Sequence, residues 1–282
     1  MYYNAFFLNL PLALLTATLW LGVAFATSKV VQRHAIIDVF WGSGFLVVFL
    51  ESLLVSRSWS HGATTAWWNV SPHGATLHQI VLVLVGAWAL RLSIHLALRQ
   101  RGHGEDPRYV YIMKGARGRN ENLYALQRIY FLQAGLMWFV SLPLQWIAFA
   151  PALQPAVTLV GALLILLGLS FEATGDEQLR RFIANPASVG TTMNRGLWRY
   201  TRHPNYFGDA VVWWGIFIVA LASGWGVFTL LSPLLMTRLL TSISGVPLLE
   251  RKLARTRAGY EEYIAVTSSF LPRPPRKSSR AS

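Results

Sequence analysis

The stretch RHPNYFGD, residues 202–209, is followed without a break by the apolar run AVVWWGIF, residues 210–217. A dense group of charged and hydrogen-bonding side chains therefore stands at the edge of a hydrophobic segment. Burying such groups at a membrane boundary costs several kcal/mol unless each of them finds a partner. The pattern predicts a helix that starts at a polar site and continues into a bilayer, and an anionic or polar ligand would supply the partners.

The composition around this stretch is typical of a polytopic membrane protein. Of the 282 residues, 54% are hydrophobic and 13% are charged. About 20 apolar residues cross a bilayer. The segments of that kind are Phe6–Thr27, Ile36–Val55, Leu77–Leu98, Ile129–Ala150, Leu153–Thr174, Tyr206–Ser223 and Trp225–Ser242. The sequence predicts an all-α fold with about seven transmembrane helices in one domain, residues 1–272, followed by a basic, disordered tail, residues 273–282.

The distribution of basic residues predicts the side of the membrane that each loop faces. With the N-terminus outside, 22 of the 25 Lys and Arg residues lie in inward-facing connections or after the last span. This asymmetry follows the positive-inside rule and makes the C-terminus cytoplasmic. The net charge of +13 is then explained by topology and by attraction to anionic membrane lipids, not by nucleic-acid binding. The two long inner loops, residues 99–128 and 175–205, should carry the function.

The content of cysteine and histidine excludes several kinds of chemistry. The chain has no cysteine, which excludes disulfides, thiolate metal ligands and cysteine nucleophiles. The 7 histidines do not show the spacing of a metal-ligand set, so no metal site is predicted.

Ionisable residues within the predicted spans are the next signal. Such residues are costly when they face lipid, and they are expected to face the interior of the helix bundle. The residues are Asp38, Arg91, His95, Glu172 and Asp176. Residues four apart share a helix face, so Arg91 and His95 give a basic face. Glu172 and Asp176 give an acidic face at similar depth. The pattern predicts a shared polar cavity, and a salt-bridge network that only orients helices is the alternative.

After the last span, residues 249–263 alternate apolar and charged residues at helical spacing. This pattern predicts an amphipathic helix at the cytoplasmic interface. Membrane docking is one role for such a helix. Closure over the cytoplasmic cavity, with Arg255 and Tyr263 facing inward, is the other.

Four motifs carry a resemblance to a known family. They are NRGLWRYTRHPNYFGD at 194–209, GEDPRY at 104–109, the pattern Glu172-x-x-x-Asp176-x-x-Leu179-Arg180, and Tyr260-x-x-Tyr263. Together they closely resemble the bacterial members of the steroid 5-alpha-reductase-like superfamily, in its branch of domains of unknown function. The RHPxYxG element alone is shared with isoprenylcysteine carboxyl methyltransferases.

The resemblance implies an NADPH-dependent reductase of the bacterial inner membrane that reduces a C=C bond in an unsaturated lipid or steroid-like ketone. It implies seven transmembrane helices around a cofactor that enters from the cytoplasm. Arginines suit the phosphates of the cofactor, and Asp and Asn suit its ribose or amide groups. The implied cofactor-binding residues are Glu172, Asp176, Arg180, Arg195, Arg199, Arg202, His203, Asn205, Tyr206, Asp209, Arg255 and Tyr263.

The catalytic acid departs from the family pattern. Steroid reductases polarise their ketone with a Glu of the second helix and a Tyr of the third. Here the corresponding regions offer Asp38 and, near the tyrosine position, Trp88. An indole cannot protonate an enolate, so Asp38 with His95 would supply the acid, or the substrate is not a 3-keto steroid. We prefer the interpretation that the substrate is not a 3-keto steroid.

Two other functions stay open. A membrane methyltransferase would bind S-adenosylmethionine at the same cytoplasmic residues, and a non-enzymatic lipid-binding protein would use the polar cavity only as structure. A titration with NADPH, NADH and S-adenosylmethionine would separate the three functions. Selective stabilisation by NADPH supports the reductase, stabilisation by S-adenosylmethionine alone supports the methyltransferase, and no response favours the lipid-binding protein.

Overall fold

The structure is a computed structural model and describes residues 2–60, 72–150, 152–243 and 246–276. The described chain is all-helical and contains no strand. The α-helices are α1 (Tyr2–Val31), α2 (Ile37–Ser60), α3 (Pro72–Gln100), α4 (Pro107–Met113), α5 (Glu121–Ala125), α6 (Leu132–Val140), α7 (Leu142–Phe149), α8 (Pro155–Ala184), α9 (Pro204–Leu221), α10 (Leu231–Arg238), α11 (Val246–Thr256) and α12 (Tyr260–Val266).

The predicted polytopic membrane fold is confirmed. Within the described ranges, six helices are long and apolar enough to cross a membrane. A seventh span results if Glu121–Val140 and Leu142–Phe149, which meet at an angle of 46°, are counted together. Pro143 lies in the first turn after the bend. A proline lacks the N–H that would continue the hydrogen-bond ladder and its ring clashes with the preceding turn, which explains the break.

Two predicted boundaries differ from the structure. The inner loop expected at 175–205 begins with ten residues that continue α8 to Ala184. Glu177 accepts hydrogen bonds from Arg180 and Arg181, at i+3 and i+4, and these ion pairs support the polar end of the helix. The C-terminal amphipathic helix is divided in two, because Gly259 adopts a left-handed conformation with φ of 72° between α11 and α12.

The tail predicted from residue 273 is partly described. Arg273 N donates to Tyr200 O at 2.9 Å, and Arg276 N donates to Val266 O at 2.9 Å. Residues 277–282 lie outside the described residues.

The chain forms two compact units. The first unit comprises Met1–Leu159 and Val219–Ser232, and the second comprises Val160–Ile218 and Pro233–Ser282. In the first unit, α2 packs against α1, α3 and α7. Its core includes Phe45 and Trp88, whose rings stack with centroids 6.1 Å apart, and Trp88 is fully buried.

In the second unit, glycines allow the backbones of α8 and α9 to approach closely. A Cβ placed on Gly208 of α9 would lie 2.5 Å from Glu172 N and 2.6 Å from Gly168 O, both on α8. Further along α9, a Cβ on Gly215 would lie 2.8 Å from Gly161 O of α8. This glycine seam, formed by Gly208 and Gly215, brings the polar start of α9 close to the C-terminal half of α8, as small residues do between membrane helices.

We expect Gly208→Ala to destabilise the protein, although alanine is the better helix former. The added methyl group would collide with backbone atoms, which cannot rotate away, and such overpacking costs about 1–3 kcal/mol. The thermal unfolding midpoint of the purified protein in detergent should fall. Gly135→Ala is the matched control, because nothing lies within 4 Å of its added Cβ. An unchanged midpoint for Gly208→Ala would contradict the close contact.

Candidate functional site

In the first unit, the GEDPRY motif forms hydrogen bonds with the backbone just before α2. Glu105 Oε1 accepts from Ala35 N at 2.9 Å and from Asp106 N at 3.0 Å, while Glu105 Oε2 accepts from His34 N. Arg33 donates from the other side to the carbonyl of Gln100 at 2.9 Å. The motif is therefore held by backbone donors that would otherwise be unpaired.

The last two residues of the motif converge on Asp38. Tyr109 Oη donates to Asp38 Oδ1 at 2.6 Å, and Arg108 Nη2 donates to Asp38 Oδ2 at 2.7 Å. Arg108 also pairs with Asp106 at 3.0 Å. Burial raises the pKa of Tyr109 well above its usual value, and the charge of Asp38 raises it further. The phenol thus keeps its proton at neutral pH, and in this structure it donates that proton to Asp38.

Tyr109 is a partner of Asp38 that the sequence did not indicate. Tyr109 is only 4% exposed and was not among the predicted catalytic residues. The signal that could have indicated Tyr109 is its hydroxyl at the end of the GEDPRY motif. Its partner Asp38, however, lies 71 residues away in the sequence. His95 is half-buried on α3, and its cooperation with Asp38 stays a prediction. Trp88 belongs to the core of the first unit.

In the second unit, two predicted cofactor residues are brought together where the start of α9 meets the C-terminal half of α8. Asn205 Nδ2 donates to Asp176 Oδ1 at 3.1 Å. Asp176 is buried and Asn205 is half-buried. Glu172 and Asp209 are also buried on these two helices. The glycine seam explains this convergence, since Gly208 lies directly against the backbone of Glu172.

The predicted residues Arg202 and His203 are engaged by a partner that the sequence did not indicate. Arg202 binds both carboxylate oxygens of Glu250, at 2.7 and 3.2 Å, and His203 Nε2 lies 2.9 Å from Glu250 Oε1. Arg202 also donates to the carbonyls of Ile264 and Thr267. The His203 ring stacks on Tyr206 with centroids 5.4 Å apart. These contacts connect the start of α9 to α11, to α12 and to the residue that follows α12.

The charge of Glu250 is maintained by this cluster. Burial alone would raise the pKa of Glu250, but the hydrogen bonds from His203 and Arg202 outweigh it and lower the pKa to about 2. Four of the five N–H directions of Arg202 point at protein acceptors in these contacts. Arg202 therefore acts first as a structural residue of the second unit.

The remaining predicted cofactor residues differ in exposure. Arg195, Arg199 and Arg255 are exposed, and Arg180 is 63% exposed and pairs with Glu177 at 2.6 Å, not with Asp176. Tyr263 is buried and donates its hydroxyl to Trp198 O. Trp198 Nε1 in turn donates to Gly175 O at 3.0 Å. Tyr263 thus supports the loop that presents Arg195 and Arg199.

The predicted shared cavity draws on both units. Asp38, Arg91 and His95 belong to the first unit, and Glu172 and Asp176 belong to the second. The shared cavity stays a prediction. No group of three or more His, Cys, Asp or Glu side chains that could hold a metal ion occurs within the described residues.

Comparison with known proteins identifies the family. A family model described as "Protein of unknown function (DUF1295)" matches residues 24–267, which is most of the chain. The chain belongs to the DUF1295 family. This family is related to steroid 5-alpha-reductase-like proteins, in agreement with the resemblance of the motifs. The searches of curated proteins and of solved structures returned no match.

Proposed function

We propose that this DUF1295 protein is an NADPH-dependent reductase of a C=C bond conjugated to a carbonyl group in a membrane lipid or steroid-like ketone. The single observation that carries the proposal is the hydrogen bond of 2.6 Å between Tyr109 Oη and Asp38 Oδ1, with Arg108 beside it. A buried phenol next to a carboxylate is a proton donor of the kind that enone reduction requires.

The role of this pair follows from the charge that develops in the reaction. When bound, NADPH supplies a hydride to the β-carbon of the enone. Negative charge then accumulates on the carbonyl oxygen, and Tyr109 donates its proton there. Asp38 takes up a proton from water and passes it to the phenolate oxygen, which restores the phenol of Tyr109. The net change consumes one hydride and one proton, and tautomerisation of the enol gives the saturated ketone.

The pair of Tyr109 and Asp38 would have no catalytic role in the methyltransferase alternative. A carboxylate that accepts a methyl group is already nucleophilic, and its reaction requires no proton donor. The RHPxYxG element, which the two families share, does not separate them either, because Arg202 and His203 are engaged by Glu250. The acid pair therefore favours the reductase.

The second unit offers groups that fit the cofactor. Exposed Arg195 and Arg199 carry permanent charge suited to phosphate oxygens. Asn205 and Asp176 form a polar pair at the ends of α9 and α8, suited to ribose hydroxyls or the carboxamide. Arg202 and His203 are not needed for these contacts.

We expect NADPH to raise the thermal unfolding midpoint of the purified protein by about 5 °C at saturation, with a smaller effect of NADH and none of S-adenosylmethionine. The 2′-phosphate of NADPH gives arginine a partner that NADH lacks. The measurement is a titration of each nucleotide against protein in lipid nanodiscs, followed by tryptophan fluorescence.

Arg195→Ala should reduce the shift with NADPH. Arg181→Ala is the matched control, because Arg181 is also exposed and pairs with Glu177. Stabilisation by S-adenosylmethionine alone would support the methyltransferase instead. An absence of response to all three ligands would favour the lipid-binding protein.

A further inference from the structure

A buried polar cluster that the proposed reaction does not use lies in the first unit, on α1 and α2. Asn9 and Ser52 are both fully buried. Asn9 Nδ2 donates to Ser52 Oγ at 3.1 Å, and Ser52 Oγ donates to Glu51 Oε2 at 3.3 Å. The three side chains therefore form one connected group in the apolar parts of two membrane-spanning helices.

The cluster has more acceptors than donors. Asn9 Oδ1 and Glu51 Oε1 are buried, and neither has a hydrogen-bond partner in the described part of the chain. Both atoms are oxygens that accept hydrogen bonds or bind cations, and neither can donate when Glu51 is ionised. A buried acceptor without a partner costs about 1–3 kcal/mol, so two such atoms in one cluster point to a ligand.

The charge of the cluster leads to the same conclusion. Glu51 lies within the span His34–Ser58. Among the residues that the structure describes, the Ser52 hydroxyl is the only polar group recorded on its carboxylate. An ionised carboxylate inside a span requires a balancing charge. One carboxylate balances one monovalent cation, whereas a divalent ion would leave an excess positive charge.

We propose that Asn9, Glu51 and Ser52 bind a sodium ion. The carbonyl oxygen of Asn9, the carboxylate of Glu51 and the hydroxyl oxygen of Ser52 are hard oxygen ligands, which suit a small cation of this class. The ion neutralises Glu51 and links α1 to α2 within the first unit. The site does not depend on the proposed reductase activity.

The test measures the thermal unfolding midpoint of the nucleotide-free protein in nanodiscs, in NaCl, KCl and choline chloride at equal ionic strength. We expect the midpoint in saturating NaCl to exceed that in choline chloride by about 5 °C, with a smaller effect of KCl. Glu51→Gln should abolish the sodium dependence. Glu177→Gln, which removes a carboxylate of α8 in the second unit, is the matched control and should keep it.

Equal midpoints in the three salts would overturn the proposal, and so would a sodium effect that survives in Glu51→Gln. If Glu51→Gln is more stable than the wild type in every salt and the wild type is indifferent to sodium, Glu51 is a neutral carboxyl and the site is refuted. If Glu51→Gln does not fold, Ser52→Ala replaces it, and this variant should require more sodium for the same shift. An unchanged sodium requirement in Ser52→Ala would contradict the assigned ligand set.

Discussion

Tyr109→Phe is expected to lower kcat for enone reduction at least about 100-fold, because removal of a general acid typically costs a factor of this size or more. Phenylalanine keeps the buried ring and removes the hydroxyl that contacts Asp38 at 2.6 Å. NADPH oxidation would be followed by absorbance in nanodiscs that contain a panel of α,β-unsaturated lipid and steroid ketones. The stabilisation by NADPH should be unchanged, since Tyr109 is not among the proposed cofactor-binding residues.

Tyr111→Phe is the matched control, because Tyr111 lies on the same helix, α4, and is 76% exposed. It should leave turnover unchanged. Asp38→Asn should reduce kcat as Tyr109→Phe does, since an amide cannot return a proton to the phenolate. Full turnover in Tyr109→Phe, with the best substrate of the panel, would remove Tyr109 from the reaction and leave His95 as the candidate partner of Asp38.

Arg202→Ala is expected to reduce the free energy of unfolding by about 3–5 kcal/mol, the usual cost of removing one partner of a buried ion pair. The side chains of Arg202 and Glu250 are only 8% and 18% exposed. The variant leaves Glu250 with His203 as its remaining partner and frees the carbonyls of Ile264 and Thr267. Denaturant unfolding in detergent without nucleotide measures this loss.

Arg199→Ala is the control for Arg202→Ala, because Arg199 is exposed in the same segment and should change stability by no more than about 0.5 kcal/mol. Acid titration gives a second check. The pKa of Glu250 is lowered from 4.5 to about 2 in the folded state, so its contribution to stability is complete above pH 4.5 and is lost as the pH falls towards 2. Glu250→Gln should lack this loss. A wild-type stability in Arg202→Ala would show that the ion pair is dispensable.

Several features of the site could be predicted from the sequence, and their partners could not. The GEDPRY motif, residues 104–109, stands out in the sequence, yet the sequence did not indicate that Glu105 binds the backbone just before α2. The contact of Tyr109 with Asp38 was missed, because the two residues are 71 positions apart in the sequence. In the same way, Arg202 was predicted to contact the cofactor, and its partner Glu250 was not identified.

The sequence by itself determined the apolar segments that are long enough to span a membrane, because hydropathy averaged over about 20 residues depends only on local composition. It also identified the polar motifs, because charged groups at the edge of an apolar segment stand out in any fold. Only the tertiary structure decided which polar group each of them meets. Gly208 illustrates the reason: its missing side chain lets α9 approach α8, and only that packing gives Asp176 the amide of Asn205 as its neighbour.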